Sequence, residues 1–214
     1  MKKFELISEF VTNVFGKKLF RIKALVSFGD VSAGELGGFV EKEENLSNNG
    51  NAWVSGNARV SGDARVSGDA LVSGNAQVSD NAWVSGNAWV SGNARVSGNA
   101  WVSGNARVSG NAWVSGDALV SGNARVSGNA QVSGDADFSV VTGFGRCFRA
   151  TTFFRCKDKI LRVQCGCFYG DLAKFREIVK KTHGDSKYAK EYLAIADLME
   201  LHFSDEEENQ EADK

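Results

Sequence analysis

Arginine, tryptophan, cysteine and histidine carry whatever chemistry this chain can do. Arg107 and Arg125 are separated by the same interval as Trp83 and Trp101, and Trp101 and Trp113 lie close to them in sequence. If the fold brings the two guanidinium groups together, they repel unless an anion neutralises them, and an indole beside them could stack on a base. That combination suits an anionic, nucleotide-like small molecule; the plainer alternative is a pair of solvated arginines. A second candidate lies further on, at alternate positions of two expected strands: Arg149, Thr151, Arg155, Arg162 and Gln164. Arginine forks with hydroxyl and amide groups suit phosphate oxygens and base edges, although an ordinary solvated sheet face would look alike.

Other reactive types give less. Cys147, Cys156, Cys165 and Cys167 could supply four thiolates to zinc. Cys147 and Cys156 differ by an odd number, however, so they face opposite sides of one strand, and Cys-x-Cys is not the usual Cys-x2-Cys knuckle. Small buried hydrophobes are the better reading, with no metal and no cofactor expected. The two histidines, His183 and His202, fall in the helical C-terminal part, where the acid and histidine content fits a solvated helix face rather than a nucleophile with its base. The glycine-rich loop Gly34-Glu35-Leu36-Gly37-Gly38 lacks the Lys-Ser/Thr ending and the following helix of a phosphate-binding loop.

What must position these residues is a repeat. Residues 51 to 140 read as fifteen hexads of the form Asn/Asp-Ala-x-Val-Ser-Gly, from Asn51-Ala52-Trp53-Val54-Ser55-Gly56 to Asp135-Ala136-Asp137-Phe138-Ser139-Val140. Ala and Val share one face of a short strand, while x and Ser share the other. Gly-Asn and Gly-Asp supply the corner. Val40 and Leu46 are already six apart, so an imperfect hexad begins there, with two extra residues near Asn48-Asn49 before Val54.

The pattern resembles the hexapeptide repeats of left-handed parallel β-helices, with Val54, Val60 and Val66 in the inward aliphatic slot and Ala52, Ala58 and Ala64 in the small-residue slot. The resemblance implies three hexads per triangular coil, five coils, and a prism roughly 24 Å long at ~4.8 Å per strand. Sorting the outward slot by every third hexad then gives three faces. Trp53, Leu71, Trp89, Arg107 and Arg125 form the first; Arg59, Gln77, Arg95, Trp113 and Gln131 the second; Arg65, Trp83, Trp101, Leu119 and Asp137 the third. The runs Trp53-Leu71-Trp89 and Trp83-Trp101-Leu119 make two apolar faces, expected to be oligomer interfaces unless the rings merely stack on their own ladder. The trimers common in that family make three the first expected subunit number. Its acyltransferases place a catalytic His in a cleft between subunits, which nothing here matches. The flanking segments, such as Leu19-Phe20-Arg21-Ile22-Lys23-Ala24-Leu25 and Cys165-Gly166-Cys167-Phe168, resemble modules of uncharacterised phage and prophage proteins.

The expected fold class is mainly β: a left-handed parallel β-helix of about five coils, each of three hexads, an N-terminal β-hairpin cap and a small C-terminal α+β module. The expected domains are 1–38 (cap), 39–140 (β-helix), 141–203 (α+β module) and 204–214 (acidic disordered tail). Two strands are read over 147–156 and 159–168, turning at Lys157-Asp158, then two helices, the first with Asp171 as N-cap. With 25 basic and 26 acidic side chains, net charge favours neither long nucleic acid nor membrane. No apolar run reaches the ~20 residues of a membrane span, and Phe4-Glu5-Leu6-Ile7-Ser8-Glu9 is too acidic for a signal core, so a cytoplasmic protein is expected. Three functions stay open: non-catalytic capture of an anionic ligand, a scaffold self-associating through its Trp-rich faces, and, least expected, a hexapeptide-repeat transferase.

Overall fold

The computed structural model describes residues 2–134, 137–156 and 158–204. Three strands open the chain: β1 (Phe4–Thr12), β2 (Lys18–Ala24) and β3 (Leu36–Val40). Fourteen short strands follow, one per hexad, from β4 (Trp53–Val54) to β17 (Gln131–Val132). Each consists of the x-Val pair of its hexad and pairs in parallel with the strand three hexads away, as Trp89 does with Leu71 below and Arg107 above. The chain is a β-solenoid of about five turns. Every Ala and Val of the repeat from Ala52 to Val132 is at most 1% exposed, so the interior is a column of small and β-branched side chains. The ladder bonds recur three per hexad, for example Trp89 N–H to Ala106 O (2.9 Å), Ser91 N–H to Val108 O (2.9 Å) and Asn93 N–H to Gly110 O (2.8 Å). A chain without proline suits a ladder that uses so many backbone donors.

The corners add a second ladder. Asn75 Nδ2 donates to Asn93 Oδ1 (3.3 Å), Asn93 to Asn111 (3.1 Å) and Asn111 to Asn129 (3.2 Å), so the turn residue of one coil bonds its counterpart in the next. The corner glycines take positive φ, near 65° at Gly104. Asp80 holds the same conformation without being glycine, and its carboxylate accepts the Gly98 N–H of the next coil at 3.1 Å.

The first coil is irregular as the spacing predicts. Val40 pairs with Val60, and Leu46 bridges to Val66, so each of these steps is two positions longer than the regular step from Val54 to Val72. The glycine loop is corrected: Gly37 and Gly38 lie inside β3, not in a loop. They are close-approach glycines, because a Cβ on Gly37 would stand 2.6 Å from Val54 O, and one on Gly38 2.6 Å from Ala58 O. Since β3 pairs antiparallel with β2 and parallel with the strand at Arg59, the hairpin continues the second face as one eight-stranded sheet.

Side chains close the N-terminal rim. Lys3 Nζ donates to Ala52 O (2.8 Å) and Gly50 O (3.3 Å) beneath the Phe28 ring, and Asn45 Nδ2 donates to Ala64 O (2.8 Å) and Gly62 O (3.1 Å). Carbonyls with no coil below them thereby find partners. Burial pushes the Lys3 ammonium down to about 8 from 10.5, with Asp69 pulling weakly the other way. The folded chain therefore holds fewer protons than the unfolded chain between those values. The stabilising contribution is full above the unfolded value and is lost as pH falls through the folded one. Thermal unfolding midpoints should rise between pH 8 and 10 in the wild type and rise less in Lys3→Met. An equal slope in both proteins would remove Lys3 as the cause.

The described part of the fifteenth hexad, from Asp137, leaves the solenoid. Its Val slot holds Phe138 and its Gly slot Val140, so the inward column and the corner glycine both fail. Phe138–Val141 instead forms β18, the edge of an antiparallel sheet with β19 (Thr151–Arg155), β20 (Leu161–Cys165) and β21 (Phe168–Asp171). The third face thus ends at Leu119, and Asp137 does not continue it; its carboxylate accepts Ser133 N–H (2.8 Å) and Oγ–H (2.6 Å). Sheet residues Thr151 to Phe154 are all buried. Phe154 and Cys156 join the solenoid core, whereas Phe153 packs with α1 (Leu172–His183) and α2 (Lys187–His202). The sheet therefore lies between the last coil and the two helices. Thr152 Oγ1 accepts the Arg125 N–H (3.1 Å), a donor at the upper end of its face. Asp171 caps α1 by accepting Lys174 N–H at 2.8 Å. Of the acidic tail read over 204–214, residues 205–214 lie outside the described residues. Among the described residues no helix is long and apolar enough to cross a membrane.

Candidate functional site

A cleft of about 710 Å³ opens where the second face meets the C-terminal sheet. Its floor is the outward slot of three successive strands, Arg95, Trp113 and Gln131, stacked by the parallel register. One wall is the amide ladder of Asn93, Asn111 and Asn129. The other comes from the turn after β19 (Cys156, Asp158), from β20 (Arg162) and from β21 (Tyr169). Tyr169 can reach the corner because residue 128 is glycine, where any Cβ would collide with the ring.

Charge in the cleft comes from few groups. Arg162 Nη2 donates to Asp158 Oδ2 at 2.6 Å, so these two largely offset each other. Among the described residues Arg95 makes no ion pair, which leaves the cleft with an unbalanced guanidinium. Burial pushes the Cys156 thiol up, against Arg162 and a hydrogen bond to Tyr169 that favour the thiolate. Burial also raises the Tyr169 phenol. Burial thus favours the neutral form of both groups. Trp113 Nε1 donates to Ser97 Oγ at 3.1 Å, which fixes the indole along the floor. What the arrangement can do is hold an anion at Arg95 beside a ring face.

The sequence candidates are partly scattered. Arg107 and Arg125 are neighbours on the first face, as their spacing predicts. Arg107 lies over the Trp89 ring, 5.4 Å from its centroid, so an indole of its own face already partners it. Trp101 is on the third face, stacked on Trp83 at 5.1 Å and 6°. The common basic face of the hairpin does not exist. The register pairs Thr151 with Cys165 and Phe153 with Val163 on one side, but Thr152 with Gln164 and Phe154 with Arg162 on the other. Arg162 and Gln164 therefore face away from Thr151 and Arg155. Thr151 is buried and donates to Cys165 Sγ (3.2 Å); Arg155 donates to Phe203 O (2.8 Å); Gln164 accepts from Ser127 Oγ (2.9 Å) and donates to Gly166 O (2.9 Å). Arg149 lies against Gly166. Only Trp113 and Arg162 of the nine ligand candidates meet in the cleft. Sequence reasoning misses Arg95, Tyr169 and Asp158, though Arg95 precedes Trp113 by three hexads, the same spacing that singles out Arg107 and Arg125.

The apolar faces need one correction. Trp53 is 3% exposed, edge-on to Phe28 at 5.4 Å, because the segment after β2 folds over it. It cannot serve an interface, and its Nε1 is buried without a partner. Leu71, Trp83, Trp89, Trp101 and Leu119 remain exposed. Cys156 lies in the cleft, whereas Cys147, Cys165 and Cys167 line a cavity on the far side of the sheet. Among the described residues no group of three or more Cys, His, Asp or Glu side chains could hold a metal ion. His183 packs on Tyr188 and Tyr192, and His202 on Phe203, both away from the cleft.

Stacked short strands, an aliphatic column and corner ladders define a β-solenoid repeat protein. In agreement, the family model described as the YdcK beta solenoid repeat matches residues 52–68, 64–78, 76–92, 88–104, 100–116 and 118–134, all within the solenoid. No curated protein matches the chain.

Proposed function

We propose that this protein is a non-catalytic binding protein that captures an anionic, nucleotide-like ligand in the cleft between the second face and the C-terminal sheet. The observation behind this reading is Arg95, unbalanced in charge, beside the fixed ring of Trp113 and the Arg162–Asp158 pair. The anion sits at the guanidinium and the ring stacks on the indole. The flanking segments' likeness to phage modules makes it, in this reading, a phage-derived protein of the bacterial cytoplasm, and sequestration of a host defence signal is the role that follows. Isothermal titration against mono-, di- and cyclic nucleotides tests it. Arg95→Ala should weaken binding roughly tenfold or more, the worth of one charge-assisted hydrogen bond. Arg107→Ala, on another face, should bind as the wild type does. Absence of binding across the panel, or wild-type affinity in Arg95→Ala, overturns the reading.

A scaffold is the second reading, favoured by the exposed Trp83–Trp101 stack and Leu119 beside it. There a homo-oligomer, a trimer first, buries the third face. A transferase has no observation in its favour.

A further inference from the structure

Three of the four cysteines converge on the helix side of the C-terminal sheet. Cys147, Cys165 and Cys167 line a cavity of about 230 Å³ whose floor is Phe168, Phe175 and Val179. Phe175 and Val179 are 2% and 3% exposed, so the floor belongs to the second hydrophobic core. Ile178 sits on the rim, 42% exposed despite its neighbours' burial. Apolar walls with a few placed polar groups are the usual make-up of a small-molecule site. The polar groups here are specific in kind. Arg146 and Arg149 stand exposed at the same cavity, and among the described residues neither makes an ion pair. Tyr192, deeper in, has its phenol pushed up to about 12 by burial and by the neighbouring Cys165, so it remains a neutral donor. Two unbalanced guanidinium groups over an apolar floor match a molecule with a negative head and an apolar body. The volume, about 230 Å³, limits the body to a short chain or a single ring.

We propose that this cavity binds a small amphipathic carboxylate, its head held by Arg146 and Arg149 and its apolar body against Phe168, Phe175 and Val179. The site is separate from the cleft, because the sheet stands between them. Occupancy covers the exposed Cys147 and Cys167, so their alkylation reports it directly.

Octanoate and phenylacetate are suitable probes, with 1-octanol as the uncharged control. Calorimetry should show binding of at least one acid and far weaker binding of the alcohol. Iodoacetamide labelling, followed by mass spectrometry, should slow at Cys147 and Cys167 in the presence of that acid and not in the presence of nucleotides. Arg149→Gln, at an exposed position, should weaken binding roughly tenfold or more. Arg149→Lys should recover part of it, keeping the charge without the fork. Circular dichroism checks that each variant is folded. The proposal is overturned if neither acid binds or slows labelling, if octanol binds as well as octanoate, or if a folded Arg146→Gln/Arg149→Gln double variant binds as the wild type does.

Discussion

Replacing Phe154 with alanine should cost about 3–5 kcal/mol, the usual loss for a fully buried aromatic ring. Phe154 is 0% exposed and belongs to the core cluster of the solenoid, although it lies on the C-terminal sheet. Its strand crosses the last coil, where Ala130 bridges to Cys156 and Thr152 takes the Arg125 N–H. Stability along a solenoid is close to a sum over neighbouring coils, so loss of the lid should fall mainly on the last one. Hydrogen exchange should accelerate around Trp113 to Val132 and change little around Arg59 to Val84. Phe148→Ala is the matched control, since Phe148 is 72% exposed. Uniform acceleration along the whole solenoid would refute the local-lid account.

The second large effect concerns two corner glycines that look identical in sequence. Gly104 and Gly122 have φ of 65° and 64°, so alanine at either is strained by about 1–2 kcal/mol. A Cβ on Gly104 would also stand 2.9 Å from Gly122 N and 3.0 Å from its O, backbone atoms held by the ladder. A Cβ on Gly122 meets nothing within 4 Å. Gly104→Ala should therefore destabilise at least twice as much as Gly122→Ala in urea unfolding. Equal losses would mean that only the dihedral matters and that adjacent coils part without cost.

The solenoid is legible because its every contact repeats: once the period is a hexad, the strand, the corner and the neighbour one coil away all follow from Ala, Val and Gly. The asparagines read only as corner residues, yet their amide ladder walls the cleft. The C-terminal module is legible in part. Its two helices follow from Asp171 and the apolar spacing, but β18 and β21 do not. Thr151 to Phe154 are buried on both sides of the strand, which erases the alternation that tells one face from the other. The turn pairs Arg155 with Leu161, and that register sends Arg162 to the solenoid side; sequence parity alone does not fix it. Trp53 is misplaced by its hexad because its cover, Phe28, sits in a stretch with no period. The cleft escapes a sequence reading as a unit because one part of it comes from the repeat and the other from a turn and two strands, β20 and β21, whose placement depends on that same register.

The second face runs on into the N-terminal hairpin's sheet and meets the C-terminal sheet at the Ala130–Cys156 bridge, which makes the protein a ruler with a rotary stop. The tip of the N-terminal hairpin, Val14 and Phe15, overhangs Gln77 and Arg95, while Asp158 and Tyr169 stand beside Arg95 and Trp113 on the same face. Whole coils gained or lost between them would lengthen or shorten the trough and leave both modules aligned above it. A single hexad gained or lost would turn one module by a third of a revolution against the other, and the trough would lose one of its two ends. Of the two kinds of change, only whole coils keep the hairpin tip and the C-terminal sheet over one face.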